Sequence, residues 1–172
     1  LSCGGMLLVQ DHLETSMQLT HFTDLGLRVL MYLSHQHREA PVTISEIAER
    51  FAVSRNHLVK VVHFMAQHGW LQTTRGKGGG LALARETGSY RLGAVIRVLE
   101  NVTEVIDCAD PPCALRGQCQ LKSMMDQALA AFFEVLDRYT LADAVASPTG
   151  EAIVTLHRLG VSQRSAMPVR AG

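Results

Sequence analysis

Hydrophobic positions along the chain fall into helical stripes separated by capping and turn residues, which gives a mainly α order of elements. Phe22, Leu25, Val29 and Leu33 share one arc at about 100° per residue, so a first helix starts at the cap Thr20. Leu27 and Met31 lie on a different side, with Asp24 and Arg28. A helix with a second apolar face has another surface to meet, and a partner subunit is the natural candidate. After the polar residues 34–41, Thr43-Ile44-Ser45-Glu46 has the form of a capping box. Ile44, Ile47, Ala48 and Phe51 supply the buried side of a short second helix. Ala52-Val53 makes a tight connection to a third helix, capped by Ser54, lined inside by Leu58, Val61, Val62 and Met65, and stopped at Gly69. Two short helices across so brief a turn form a helix-turn-helix.

Downstream the pattern changes. Residues 70–74 and 81–84 read as two short strands around Arg75-Gly76-Lys77-Gly78-Gly79-Gly80, a β-hairpin with a glycine-rich basic tip: a wing. Residues 91–100 form another helix, and 107–119, rich in Pro, Cys and Gly, form a loop. From Gln120 to Tyr139, apolar residues such as Leu121, Met124, Phe132 and Val135 keep a helical period over about 30 Å. That is longer than so small a domain needs, and it predicts a dimerisation helix. Thr140 to Asp143 repeats a cap signal for a short last helix. The expected fold is therefore mainly α with a small β-hairpin wing: a winged helix-turn-helix domain plus a long C-terminal dimerisation helix. Its expected divisions are an extension outside the fold (1–16), the DNA-binding domain (17–100), a cysteine loop (101–119), the dimerisation and last helices (120–146) and a loosely ordered tail (147–172).

At 172 residues with 47% apolar and 19% charged residues, the chain is sized for one compact domain with an accessory element. No apolar run approaches the roughly 18 residues of a membrane span, and the start lacks the basic region of a signal peptide. A cytoplasmic protein without a membrane partner is expected. Net charge is zero, but it is unevenly spread. Residues 50–91 hold seven Lys/Arg against one Glu, a local net of +6, while 1–49 hold two against six Asp/Glu and 92–172 seven against nine. A basic segment coincident with the helix-turn-helix and wing points to nucleic acid.

The outer side of the third helix carries Arg55, Asn56, His57 and Lys60. Its first turn would enter the major groove, where Arg reads guanine and Asn reads adenine in bidentate geometry. Ser54 and the neighbouring N–H groups would meet a phosphate at the helix N-terminus. Arg75 and Lys77 would reach the adjacent minor groove or backbone, with Gly78 and Gly79 allowing close approach. The tip is not a nucleotide-binding loop, because Lys77 is followed by Gly78 rather than Ser or Thr. No nucleophile–base pair or cofactor loop marks the chain as an enzyme.

Cys108, Cys113 and Cys119 form a C-x4-C-x5-C array on a loop bent by Pro111, Pro112 and Gly117. Thiolates so placed can converge on one soft metal centre. An odd triplet cannot pair internally, so a disulfide framework is not expected. Structural zinc is the competitor, but it takes four ligands and its cysteine pairs are usually closer spaced; the array favours an iron–sulfur cluster, [4Fe-4S] or [2Fe-2S]. Three thiolates leave one iron position for another ligand. Asp107 and Asp110 are local candidates, and Asp24 could arrive from a partner subunit unless it simply pairs with Arg28 four residues on.

Met17-Gln-Leu-Thr-His-Phe-Thr-Asp-Leu-Gly-Leu-Arg28, Val53-Ser-Arg-Asn-His-Leu-Val-Lys60, the wing Arg75-Gly-Lys-Gly-Gly-Gly80 and the cysteine triplet resemble the NsrR family of nitric-oxide-sensing repressors. Those share their winged-helix build with the IscR regulators of cluster biogenesis. The likeness spans about residues 17–146. It implies a homodimer that binds a pseudo-palindromic operator in double-stranded promoter DNA and represses while its cluster is intact. It further implies that the three cysteines hold the cluster, that Asp24 supplies the fourth ligand in trans, and that nitric oxide is the signal. An IscR-like regulator responding to cluster supply is the alternative.

Overall fold

The structure is a computed structural model of the chain and describes residues 18–35, 40–76 and 78–165. Helix α1 (His21–Leu33) starts where the sequence places it: the Thr20 hydroxyl accepts the Thr23 N–H at 3.3 Å, and the Thr20 N–H donates to Glu100 at 2.7 Å. Of its expected stripe, Leu25, Val29 and Leu33 are buried and Phe22 is half-buried against the same core; Leu30 and Tyr32 are buried as well. Leu27 and Met31 pack partly against the same core, so the second face of α1 is in part used within the chain.

Helices α2 (Ile44–Arg50) and α3 (Arg55–Gln67) form the helix-turn-helix, with Ala52 at φ 51° inside the turn. The Thr43 hydroxyl caps α2 by accepting the Glu46 N–H at 3.2 Å. Glu46 itself is turned inward, 3% exposed, and accepts the Tyr32 hydroxyl at 2.7 Å. A residue that the sequence assigns to a surface cap thus joins α2 to α1. Leu58, Val61, Val62 and Met65 form the buried side of α3, and Gly69 ends it at φ 66°.

Strands β1 (Leu71–Thr73) and β2 (Leu81–Leu83) pair antiparallel, Leu71 opposite Leu83 and Thr73 opposite Leu81. The Leu81 N–H donates to the Val42 carbonyl at 2.8 Å, fastening the hairpin to the chain entering α2. Only glycine fits beside this bridge, since a Cβ on Gly80 would lie 2.7 Å from the Val42 oxygen. The bridge has no signal in the strand pattern because a single residue carries it.

Helix α4 (Leu92–Glu100) crosses α1 so closely that a Cβ on Gly26 would stand 2.9 Å from Leu99. Helix α5 (Gln120–Leu136) is clamped to α4 by both terminal nitrogens of Arg97, at 3.1 and 2.8 Å from the Asp137 carboxylate, with the guanidinium 4.4 Å over the Phe133 ring. The hydrogen bond from Arg97 holds the Asp137 carboxyl below the usual carboxylate range. The Leu92 N–H donates to Tyr139 at 3.0 Å and the Leu141 N–H to Tyr90 at 2.9 Å, while the Tyr90 hydroxyl reaches the Trp70 carbonyl at 2.8 Å. Wing, α4 and α5 are therefore mechanically joined. Only Phe133 on α5 is fully buried; Leu121, Met124, Phe132, Val135 and Tyr139 remain 46% to 60% exposed.

Helix α6 (Leu141–Ala144) carries the complete Thr140/Asp143 capping box. The expectation of a loosely ordered tail is corrected over Thr149–Ser165, which form helix α7; residues 166–172 lie outside the described residues. Ile153 is buried, and the His157 ring stacks on Tyr32 at 4.0 Å while its Nε2 lies 2.8 Å from the Tyr32 carbonyl. An apolar stripe this short, completed by a histidine, leaves little hydrophobic period to read. The extension 1–16 lies outside the described residues.

Candidate nucleic-acid interface and candidate metal centre

The turn between α2 and α3 and the rigid α3 stripe below it fix how the first turn of α3 faces outward. Ser54, Arg55, Asn56, His57 and Lys60 are all exposed there. Ser54 makes no side-chain capping bond, so its hydroxyl is available beside the N-terminal N–H groups. The Arg55 Nε donates to the Ser45 hydroxyl at 3.1 Å, and the His57 ring meets His21 edge-on with centroids 6.0 Å apart. These two neighbours were not legible as site residues, because each belongs to a different helix. Arg75 and Gly78 are exposed on the wing and Gly79 is half-buried. Lys77 lies outside the described residues. The exposed donors on α3 and the wing thus lie within the basic segment 50–91 from which the sequence expects duplex contacts. Arg55→Ala is expected to cost about 1–3 kcal/mol of operator affinity and to relax base preference at one position per half-site. Competition binding with single-base operator variants would measure both, and equal losses on all sequences would reduce Arg55 to a phosphate contact.

The cysteine loop runs from the end of α4 to the start of α5. Its backbone doubles back, with the Cys113 N–H donating to the Cys108 carbonyl at 3.2 Å and the Arg116 N–H to the Cys113 carbonyl at 3.1 Å. Cys119 is the N-cap residue of α5. Cys108 and Cys119 line one cleft of about 860 Å³ that also takes in Glu104, Arg116, Lys122 and Asp126; Cys113 is exposed beside it. Partial burial first, and then the charge of Cys113, pushes the Cys108 thiol above its ordinary range, with Cys119 adding to the shift and Lys122 opposing it. Among the described residues no group of His, Cys, Asp or Glu is closed tightly enough to hold a metal ion. By donor chemistry and neighbourhood the triplet suits a thiophilic centre such as an iron–sulfur cluster. Asp24 pairs with Arg28 at 2.9 Å and does not line the cysteine cleft of its own chain.

Residues 19–147 match Rrf2, described as an iron-dependent transcriptional regulator. The chain belongs to the Rrf2 family. Its members are DNA-binding transcriptional regulators rather than enzymes. Among solved structures, the chain is similar to CymR of B. subtilis, described as its global cysteine regulator, at 25% identity, a TM-score of 0.62, and coverage of 75% of this chain and 96% of that one. It is also similar to T. potens IscR, with 25% identity, a TM-score of 0.59, and coverage of 89% and 93%. Staphylococcus aureus CymR in its oxidized form shares the fold at 23% identity and a TM-score of 0.59, with 74% and 95% covered. The winged-helix fold expected from the sequence is thus the fold of this family. No helix among the described residues is long and apolar enough to cross a membrane.

Proposed function

We propose that this Rrf2 protein is a cytoplasmic homodimeric repressor that binds promoter DNA through α3 and the wing, its affinity set by an iron–sulfur cluster on Cys108, Cys113 and Cys119, with nitric oxide as the signal. The observation that carries the reading is the position of the cysteine loop. It joins α4, which lies against α1 at Gly26 and Leu99, to α5, which bears an unpartnered apolar stripe. A change in the loop therefore acts on the recognition unit and on the surface where a second copy would sit.

The bound cluster would supply an iron centre reactive towards nitric oxide. Cys108, Cys113 and Cys119 would hold it, and Asp24 of the partner subunit would provide the remaining ligand. Leaving Arg28 for that role would cost Asp24 little, since both side chains are about 40% exposed (39% and 42%) and such surface pairs contribute about 0–1 kcal/mol. Cys119 anchors one end of the loop on α5, and Arg97 with Asp137 fixes α5 to α4. Loosening the loop would free the relative orientation of the two winged helices, so that they no longer match half-sites about one helical turn apart. A 100-fold loss of DNA affinity needs only about 2.7 kcal/mol of coupling.

The test is anaerobic purification with a visible spectrum and iron count, followed by nitric oxide titration against duplexes selected by the loaded protein. A coloured, iron-containing dimer that releases DNA on titration is expected. A colourless zinc protein would overturn the cluster. Loaded protein that keeps its DNA under nitric oxide would favour the second reading, a regulator responding to cluster supply, which the likeness to T. potens IscR supports. Asp24→Ala should still load a cluster but respond weakly in DNA binding; an unchanged response would return Asp24 to its ion pair with Arg28.

A further inference from the structure

The cysteine cleft is bounded on one side by a lysine that the cluster reading does not use. Lys122 stands in the first turn of α5, three residues after Cys119, and is only 22% exposed. Its Nζ lies 3.0 Å from Glu104 and 2.6 Å from Asp126. Asp126 is one helical turn further along α5, whereas Glu104 belongs to the chain leaving α4, before the first cysteine. One ammonium group therefore ties the entrance of the loop to the helix on which the loop ends.

We propose that Lys122 is a positioning residue that clasps the cysteine loop across the start of α5 and so controls how readily the thiols let go of what they hold. This rests on the cluster reading for its functional meaning, but the clasp concerns the chain alone. Lys122 acts by two means. It closes the loop at Glu104, and it sets a positive charge in the cleft lined by Cys108 and Cys119. Two exposed carboxylates sharing one half-buried ammonium form a small network, the geometry in which surface pairs contribute measurably. Without Lys122, Glu104 and Asp126 would face each other as like charges across the cleft, and the loop would open.

Hydrogen exchange without any cluster tests the clasp. The Cys113, Arg116 and Gln118 amides, which bond within the loop, report its opening. In Lys122→Met they should exchange roughly tenfold faster, equivalent to about 1.4 kcal/mol, with the core amides of α3 unchanged. Lys122→Arg should restore protection. Loop exchange equal to wild type in Lys122→Met, or equally fast exchange in Lys122→Arg, would overturn the proposal. In the loaded proteins, anaerobic cluster loss to a chelator should be several-fold faster for Lys122→Met and near wild type for Lys122→Arg; equal rates in all three would overturn the control of release. If the wild type loads no cluster at all, the cluster reading fails, and the exchange experiment alone decides the clasp.

Discussion

Cys113→Ala is expected to give a folded dimer that takes up no cluster and loses operator affinity by at least about 100-fold, or about 2.7 kcal/mol. The loss is specific because Cys113 is exposed and outside the hydrophobic core, so its thiol contributes nothing to packing. The backbone bond from its N–H to Cys108 survives the substitution. Thermal unfolding of the cluster-free protein should accordingly match that of cluster-free wild type. Iron content, the visible spectrum and operator titration on the same sample separate the two effects. Normal, tight operator binding by iron-free Cys113→Ala would sink the cluster as the switch.

Phe132→Glu is expected to have an effect as large by a different route. Leu121, Met124, Phe132 and Val135 recur on one arc of α5 and all are exposed, as is Tyr139 just beyond its end, while the other side of the helix meets α4 through Phe133. Fully burying an exposed side chain of this size contributes about 1.5–3 kcal/mol; these are already about half covered, so a second copy over the stripe would add roughly half of that for each. A carboxylate in its middle should leave the fold intact and separate the protomers. Operator binding would then lose the avidity of two linked half-sites, a factor of about 10²–10⁴. Sedimentation and titration on full and single half-sites would show it. A variant that stays dimeric would move the interface away from α5.

The elements with polar punctuation were the readable ones. Thr20, Thr43, Ser54, Gly69 and Thr140 sit at helix ends as the sequence places them, because caps and αL positions depend on local chemistry. Contacts set by tertiary packing were not readable. Glu46 looks like a surface residue in its local pattern, yet it meets Tyr32 inside the core. The Val42 bridge to Leu81 joins residues far apart in the chain. In the candidate centre, the cysteine spacing announced thiol chemistry and the i,i+4 relation of Lys122 to Asp126 was visible in principle. The approach of Glu104 was not, because it depends on how the loop returns to α5.

Helix α7 changes what counts as a transplantable unit. Its His157 lies flat on Tyr32, whose hydroxyl reaches Glu46 at the head of the helix-turn-helix. The packing against α2, the first helix of the helix-turn-helix, is thus assembled from α1 and α7, far apart in the chain, with the cysteine loop and α5 spliced between them. A chimera that borrowed only residues 17–100 to redirect another regulator would carry the reading head without part of its bedding. A faithful graft needs the stretch reaching His157 as well, even though that stretch touches no DNA-facing residue named above.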